Sequence, residues 1–161
     1  MDKQNETILK ILKQDSRFTA AQIAAASGMT EAEVQGRITA MENEGVISGY
    51  TVLTDIEKAD EDAVVALIEV NVTPMMSAGF DSIARSICRN EEVKDLYLMS
   101  GSYDLALILE GRNLREVARF VSEKLSVLKD VTSTSTHFIL KKYKNEGVIL
   151  DREKEKREEL I

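Results

Sequence analysis

Ala32, Gln35, Gly36, Arg37 and Thr39 are the residues of this 161-residue chain whose types and spacing point most directly to chemistry, and that chemistry is recognition rather than bond-making. They lie off the stripe Val34, Ile38 and Met41, whose i, i+4, i+7 spacing predicts a helix with one buried side. The segment 19–45, TAAQIAAASGMTEAEVQGRITAMENEG, makes that helix the second of a pair. Each helix opens on a capping box, Thr19 with Gln22 and Thr30 with Glu33, in which the first side chain caps an orphan N–H and the second reaches back. Ser27-Gly28 supplies the corner between them, because glycine tolerates the positive φ such a turn demands. Two short helices at a glycine corner outline a helix-turn-helix, and the outward set on the second helix is the candidate surface for reading DNA.

Charge argues for caution. Residues 1–50 hold Lys3, Lys10, Lys13, Arg17 and Arg37 against seven carboxylates, and the whole chain carries a net charge of −7, whereas a DNA reader usually shows a basic footprint. Weak non-specific affinity is expected, and a plain three-helix packing module fits the same residues. Enzyme motifs are missing: no GxSxG elbow, no GxxxxGK[ST] phosphate loop and no HExxH. His137 is the only histidine, with no second ligand at metal spacing, so neither a metal nor a cofactor is implied. The single cysteine, Cys88, falls on an apolar helical face and reads as core, which excludes a disulfide framework and indicates a reducing compartment. With no bilayer-length apolar run and no basic-then-apolar leader, the expectation is a soluble, cytoplasmic protein.

The remaining pattern says what must position the reading helix. Ile8, Leu9, Ile11 and Leu12 predict an upstream amphipathic helix from about Lys3, and Gly45-Val46-Ile47 ends the module. Residues 50–53 are β-prone and lead into the acidic connector 55–62. Residues 64–72 alternate as a strand that Pro74 ends, and Phe80, Ile83, Ala84, Ile87 and Cys88 recur at helical spacing. Strands at 93–99 and 105–109 flank the hairpin loop Ser100-Gly101-Ser102-Tyr103-Asp104. A helix opened by Asn113 and Glu116 carries Leu114, Val117, Ala118, Val121 and Leu125, and 131–140 is a final strand. The fold class is therefore α+β: a helix-turn-helix domain at 1–49, a linker strand and connector at 50–62, a ferredoxin-like βαββαβ domain at 63–145 and a charged tail at 146–161. Two helices cover one sheet face, and the apolar residues on the other predict dimerisation; Met75-Met76, in a loop after Pro74, reads as packing or interface. The tail, DREKEKREELI, reads as a solvated or frayed end.

Taken in order, the helix-turn-helix, the junction RITAMENEGVISGYTVLTD, the loop SGSYDLALIL and the closing strand TSTSTHFILKKYK resemble the Lrp/AsnC family of bacterial and archaeal transcription regulators over nearly the full chain. The resemblance implies an ACT-like ferredoxin domain that forms homodimers, assembles them into octamers and binds an amino-acid-like effector between dimers. It implies double-stranded DNA as partner, a pseudo-palindromic operator contacted by Thr30, Ala32, Gln35, Gly36, Arg37 and Thr39, and Arg37 as the family's usual basic position. It implies an effector pocket at Gly101, Tyr103 and Asp104 with Thr134 and Thr136 beside it, an acceptor for an ammonium and donors for a carboxylate. The same five residues also fit a hairpin turn, a packed ring, a capped loop and ordinary strand positions. The alternative function is a metabolite-binding oligomeric protein with little or no DNA affinity.

Overall fold

The computed structural model describes residues 1–73 and 79–150, so the readings of Pro74, Met75-Met76 and the tail 151–161 lie outside the described residues. Packing divides the chain into two units, Met1–Val52 and the remainder from Leu53.

The first unit is three helices. α1 (Lys3–Gln14) is capped by Asp2, whose carboxylate accepts from Asn5 N–H. α2 (Ala20–Ser27) and α3 (Glu31–Asn43) both form the full reciprocal capping box. Gly28, at φ 72°, makes the corner and donates its N–H to Ala24 O at 3.0 Å. Ile8 and Leu12 from α1, Ile23 and Ala24 from α2, and Val34 and Met41 from α3 close the core, with Ile38 packed against it. Burying an aliphatic side chain of this size contributes about 1.5–3 kcal/mol, so the apolar stripe of α3 is what holds that helix on the other two.

Residues 50–53 form no strand. A strand needs a hydrogen-bonded neighbour as well as β-prone side chains, and none lies beside this segment among the described residues; the Tyr50 hydroxyl instead donates to Glu42 Oε1 at 2.9 Å. A one-turn helix, α4 (Ile56–Ala59), occupies the acidic connector.

The second unit follows the expected βαββαβ order. β1 (Val64–Val72), β2 (Val93–Leu98), β3 (Leu105–Gly111) and β4 (Val131–Ile139) form an antiparallel sheet in the order β2-β3-β1-β4. α5 (Asp81–Ile87) and α6 (Leu114–Phe120), the latter running into a π-helical turn at Val121–Leu125, cover one face. Ala66, Ile68, Val70 and Val72 from β1 meet Leu105, Leu107 and Leu109 from β3, and Ile83, Ile87, Val117, Phe120 and Leu125 descend on them from the helices. Cys88 is exposed rather than core: α5 ends at Ile87, and Cys88 is its capping residue, turned off the Ile83–Ile87 stripe.

On the opposite face the register aligns Leu67 with Ile108 and His137, and Val65 with Glu110 and Ile139. Val65 and Ala106 are buried, Leu67, Ile108 and Ile139 half-buried, and polar groups sit around them. His137 belongs to that surround, its Nε2 3.5 Å from Glu69 Oε1. Ordered backbone continues past residue 145 as a hairpin of β5 (Lys144–Asn145) and β6 (Val148–Ile149). Its two turn residues, Glu146 and Gly147, have φ of 45° and 85°, the double positive φ of a two-residue hairpin turn.

Candidate functional site

On α3 the polar side is free of packing. Ala32, Gln35, Gly36 and Thr39 are exposed while Val34 and Met41 are fully buried. Thr30 is committed to the helix start: its Oγ1 accepts from Glu33 N–H at 3.3 Å and donates to Glu33 Oε2 at 2.8 Å, and its own N–H donates to that same oxygen at 2.8 Å. These bonds, the backbone one first, hold the Glu33 carboxyl below its ordinary pKa. Gly36 sits in the middle of the helix, and a Cβ added there would meet nothing within 4 Å. Neither a positive φ nor a close neighbour requires glycine at that position, although glycine costs a helix interior about 0.8–1.0 kcal/mol relative to alanine.

Arg37 does not reach outward. Its Nη1 donates to Asp2 Oδ2 at 2.7 Å and to Asn5 Oδ1 at 2.9 Å, and its Nη2 donates to Gln4 Oε1. Its side chain is only 28% exposed. The guanidinium thus clamps α3 to the first turn of α1, and Asp2, lowered in pKa first by the Asn5 N–H and then by Arg37, serves both as helix cap and as ion partner. Because Arg37 is the only cation in 19–45, the helix pair has no uncommitted positive charge. Sequence reading missed Asp2, Gln4 and Asn5 as partners of Arg37; their separations of 32 to 35 residues leave no local signal.

In the second unit Gly101, Tyr103, Asp104 and Thr134 lie toward one end of the sheet, whereas Thr136, paired with Ile68, stands opposite the middle of β1. Asp104 closes the β2–β3 hairpin: its carbonyl accepts from Met99 N–H at 2.8 Å and its N–H donates to Val70 O at 3.1 Å. Its Oδ2 accepts from Val72 N–H at 2.8 Å, so the side chain extends the β1–β3 ladder by one bond. On the other side of β1, Thr134 pairs with Val70 and Thr136 with Ile68, which puts both on the helix-covered face and half-buried. Asp104 and Thr134 thus flank β1, about 10 Å apart by two strand spacings. Tyr103 is half-buried, and Gly101 is exposed with nothing within 4 Å of an added Cβ. Gly101 has no positive φ, so the turn does not demand glycine; its absent side chain leaves the loop backbone open to close approach.

A groove of about 740 Å³ opens at the other end of this sheet, away from these residues. Its walls hold ion pairs that satisfy one another, Arg112 with Glu116 at 2.5 Å and Lys124 with Glu92 at 2.6 Å. Those partners hold both carboxyls below their usual range. These two pairs take up four of the charged groups on its walls, and volume alone does not make it the better site.

A capped helix-turn-helix with a bare polar face, joined to a ferredoxin-like unit with a polar cluster at the end of its sheet, defines a two-domain DNA-binding regulator. The comparisons agree. Residues 1–42 match the AsnC-type helix-turn-helix domain and residues 65–149 the Lrp/AsnC ligand binding domain. The HTH-type transcriptional regulator YugG of Bacillus subtilis is 46% identical over 151 residues, 93% of this chain and 90% of that one. LrpA of Pyrococcus horikoshii is 29% identical over 89% of this chain and 99% of its own. Among solved structures, a Neisseria meningitidis transcriptional regulator in its L-Met complex superposes with a TM-score of 0.74 at 22% identity, covering 94% of this chain and 98% of that one. The chain belongs to the Lrp/AsnC family of transcription regulators; it is not an enzyme.

Proposed function

We propose that this regulator reads a pseudo-palindromic operator with the Ala32, Gln35, Gly36 and Thr39 face of α3, and that a free amino acid held at the β2–β3 loop modulates the reading. The carrying observation is the state of Asp104: Val72 N–H occupies one carboxylate oxygen, and Oδ1 makes no hydrogen bond among the described residues. That oxygen is the acceptor for an ammonium, while the open backbone at Gly101, the Tyr103 hydroxyl and the hydroxyls of Thr134 and Thr136 are donors for a carboxylate. An L-Met complex in a relative of the same fold supports this ligand class. In this reading Thr30 and Arg37 support the interface rather than read bases, Thr30 by starting α3 and Arg37 by fixing α1 against it. Leu67, Ile108 and Ile139, half-buried on the sheet face away from the helices, are the proposed homodimer contact, and dimers associate further, up to octamers, in the cytoplasm. Two chains then present two reading helices, as an operator with two half-sites requires.

The test is thermal stabilisation by a panel of free L-amino acids on wild type and on Asp104→Asn. Asparagine retains an oxygen for Val72 N–H but not the charge. Wild type is stabilised by at least one member, and the variant, equally folded, is not; equal stabilisation of both removes Asp104 from the pocket. One observation favours the second reading, a metabolite-binding oligomer with little DNA affinity: the only cation of the helix pair is held by α1. Salt-dependent binding to duplex DNA separates the two.

A further inference from the structure

We infer that residues 141–144, Lys-Lys-Tyr-Lys, form a second contact to the DNA phosphate backbone, borne by the ligand-binding unit rather than by the helix-turn-helix. This rests on the DNA-binding reading above and adds to it where the phosphate charge is met. The first unit cannot supply much of that charge: residues 1–50 hold five cations against seven carboxylates. Two of those cations are already spent, Arg37 on Asp2 at 2.7 Å and Arg17 on Asp15 at 2.7 Å. A chain of net charge −7 that approaches a polyanion needs a local positive site, and 141–144 is the one four-residue window among the described residues with three cations.

Its setting suits the role. Its last residue, Lys144, begins β5 and pairs with Ile149 of β6, and Leu150 N–H returns to Tyr143 O at 3.0 Å, so the run is tied to the hairpin backbone. Lys141 Nζ lies 5.2 Å from the centroid of the Tyr143 ring, which is itself 64% exposed, and such an amphipathic ring serves a wet, charged surface well. Lys144 is exposed, Lys142 half-buried, and neither closes an ion pair among the described residues. The acid close in sequence to Lys142 and Lys144 is Glu146 in the hairpin turn. By contrast, the cations of 151–161 alternate with acids.

The experiment measures binding of the full chain to a duplex from its own upstream region as a function of salt. Wild type is compared with Lys142→Gln/Lys144→Gln and with a control of equal charge change, Lys58→Gln/Arg85→Gln, whose cations pair with Asp55 and Asp81. Each lost phosphate contact lowers the slope of log K against log salt by about 0.9, so the 142/144 variant falls by about 1.8 and loses about 30-fold in affinity at 0.15 M salt. The control keeps the wild-type slope. Equal slopes for all three proteins overturn the inference and leave the DNA-binding reading intact. A changed oligomeric size of the 142/144 variant, with its slope unchanged, assigns the run to a contact between copies and also overturns it. Failure of wild type to bind the duplex overturns both.

Discussion

Replacing Gly36 with alanine should make the protein more stable and worse at binding DNA. The glycine is exposed at mid-helix, and a methyl group placed on it meets nothing within 4 Å. The folded unit therefore accepts alanine without strain, and the helix gains about 0.8–1.0 kcal/mol from the lost backbone freedom of the unfolded chain. For a unit as small as Met1–Val52 that corresponds to a rise of about 4–8 °C in its melting temperature. Against DNA the same methyl is an intrusion: overpacking a close contact costs about 1–3 kcal/mol, or about 5- to 150-fold in affinity. Scanning calorimetry of wild type and Gly36→Ala reads the first effect, and fluorescence anisotropy with an operator duplex reads the second. Stabilisation with undiminished affinity would show that Gly36 faces solvent in the complex and that the duplex lies against another surface. No stabilisation would refute the argument that nothing in the fold requires glycine there.

Other outcomes follow from the same geometry. Thr19→Ala removes the side-chain cap of α2, in which Thr19 Oγ1 accepts from Gln22 N–H at 3.3 Å, and should cost about 1 kcal/mol by urea denaturation, with Thr19→Ser restoring most of it. Asp104→Ala leaves the part-buried Val72 N–H without its acceptor and should destabilise the second unit by about 1–3 kcal/mol even without ligand, measured by amide exchange at Val72 and by melting. The Asp15 carboxyl, held down to about 2 chiefly by the Arg17 side chain, should titrate at that pH by NMR and return toward its ordinary 3.8 in Arg17→Ala. Because its folded pKa is depressed, the stabilisation from this pair is complete above the ordinary value and is lost as pH falls from 3.8 toward 2. Asp2→Asn should loosen the clamp on Arg37 and lower the melting temperature of the first unit; if the freed guanidinium instead strengthens DNA binding, Arg37 is a reader and not a support.

What the sequence made legible was local or periodic. Thr19, Gln22, Thr30 and Glu33 sit three apart in pairs, and that spacing alone determines two helix starts. Val34, Ile38 and Met41 mark the buried side of α3 by their period, and the alternation of 64–72 marks the strand that becomes the middle of the sheet. Pairing between distant residues left no such trace. Arg37 reads as an outward cation until α1 folds back and offers three acceptors from its first turn and cap. Tyr50, Val52 and Leu53 read as a strand because β propensity describes side chains, whereas a strand also requires a neighbour. Cys88 fits the helical period, but α5 stops one residue short of it. Asp104 reads as a loop acid, and only the register of β1 against β3 shows that its carboxylate completes the ladder.

The most direct test of the central claim, a DNA reader governed by a small molecule, is one titration. The full chain is bound to a duplex from its own upstream region and to a scrambled duplex of equal length at 0.15 M salt, with and without each L-amino acid. The account predicts affinity for the upstream duplex about 10³-fold or more above the scrambled one, and a shift in that affinity with at least one amino acid. Equal affinity for both duplexes, unmoved by every amino acid, would contradict it.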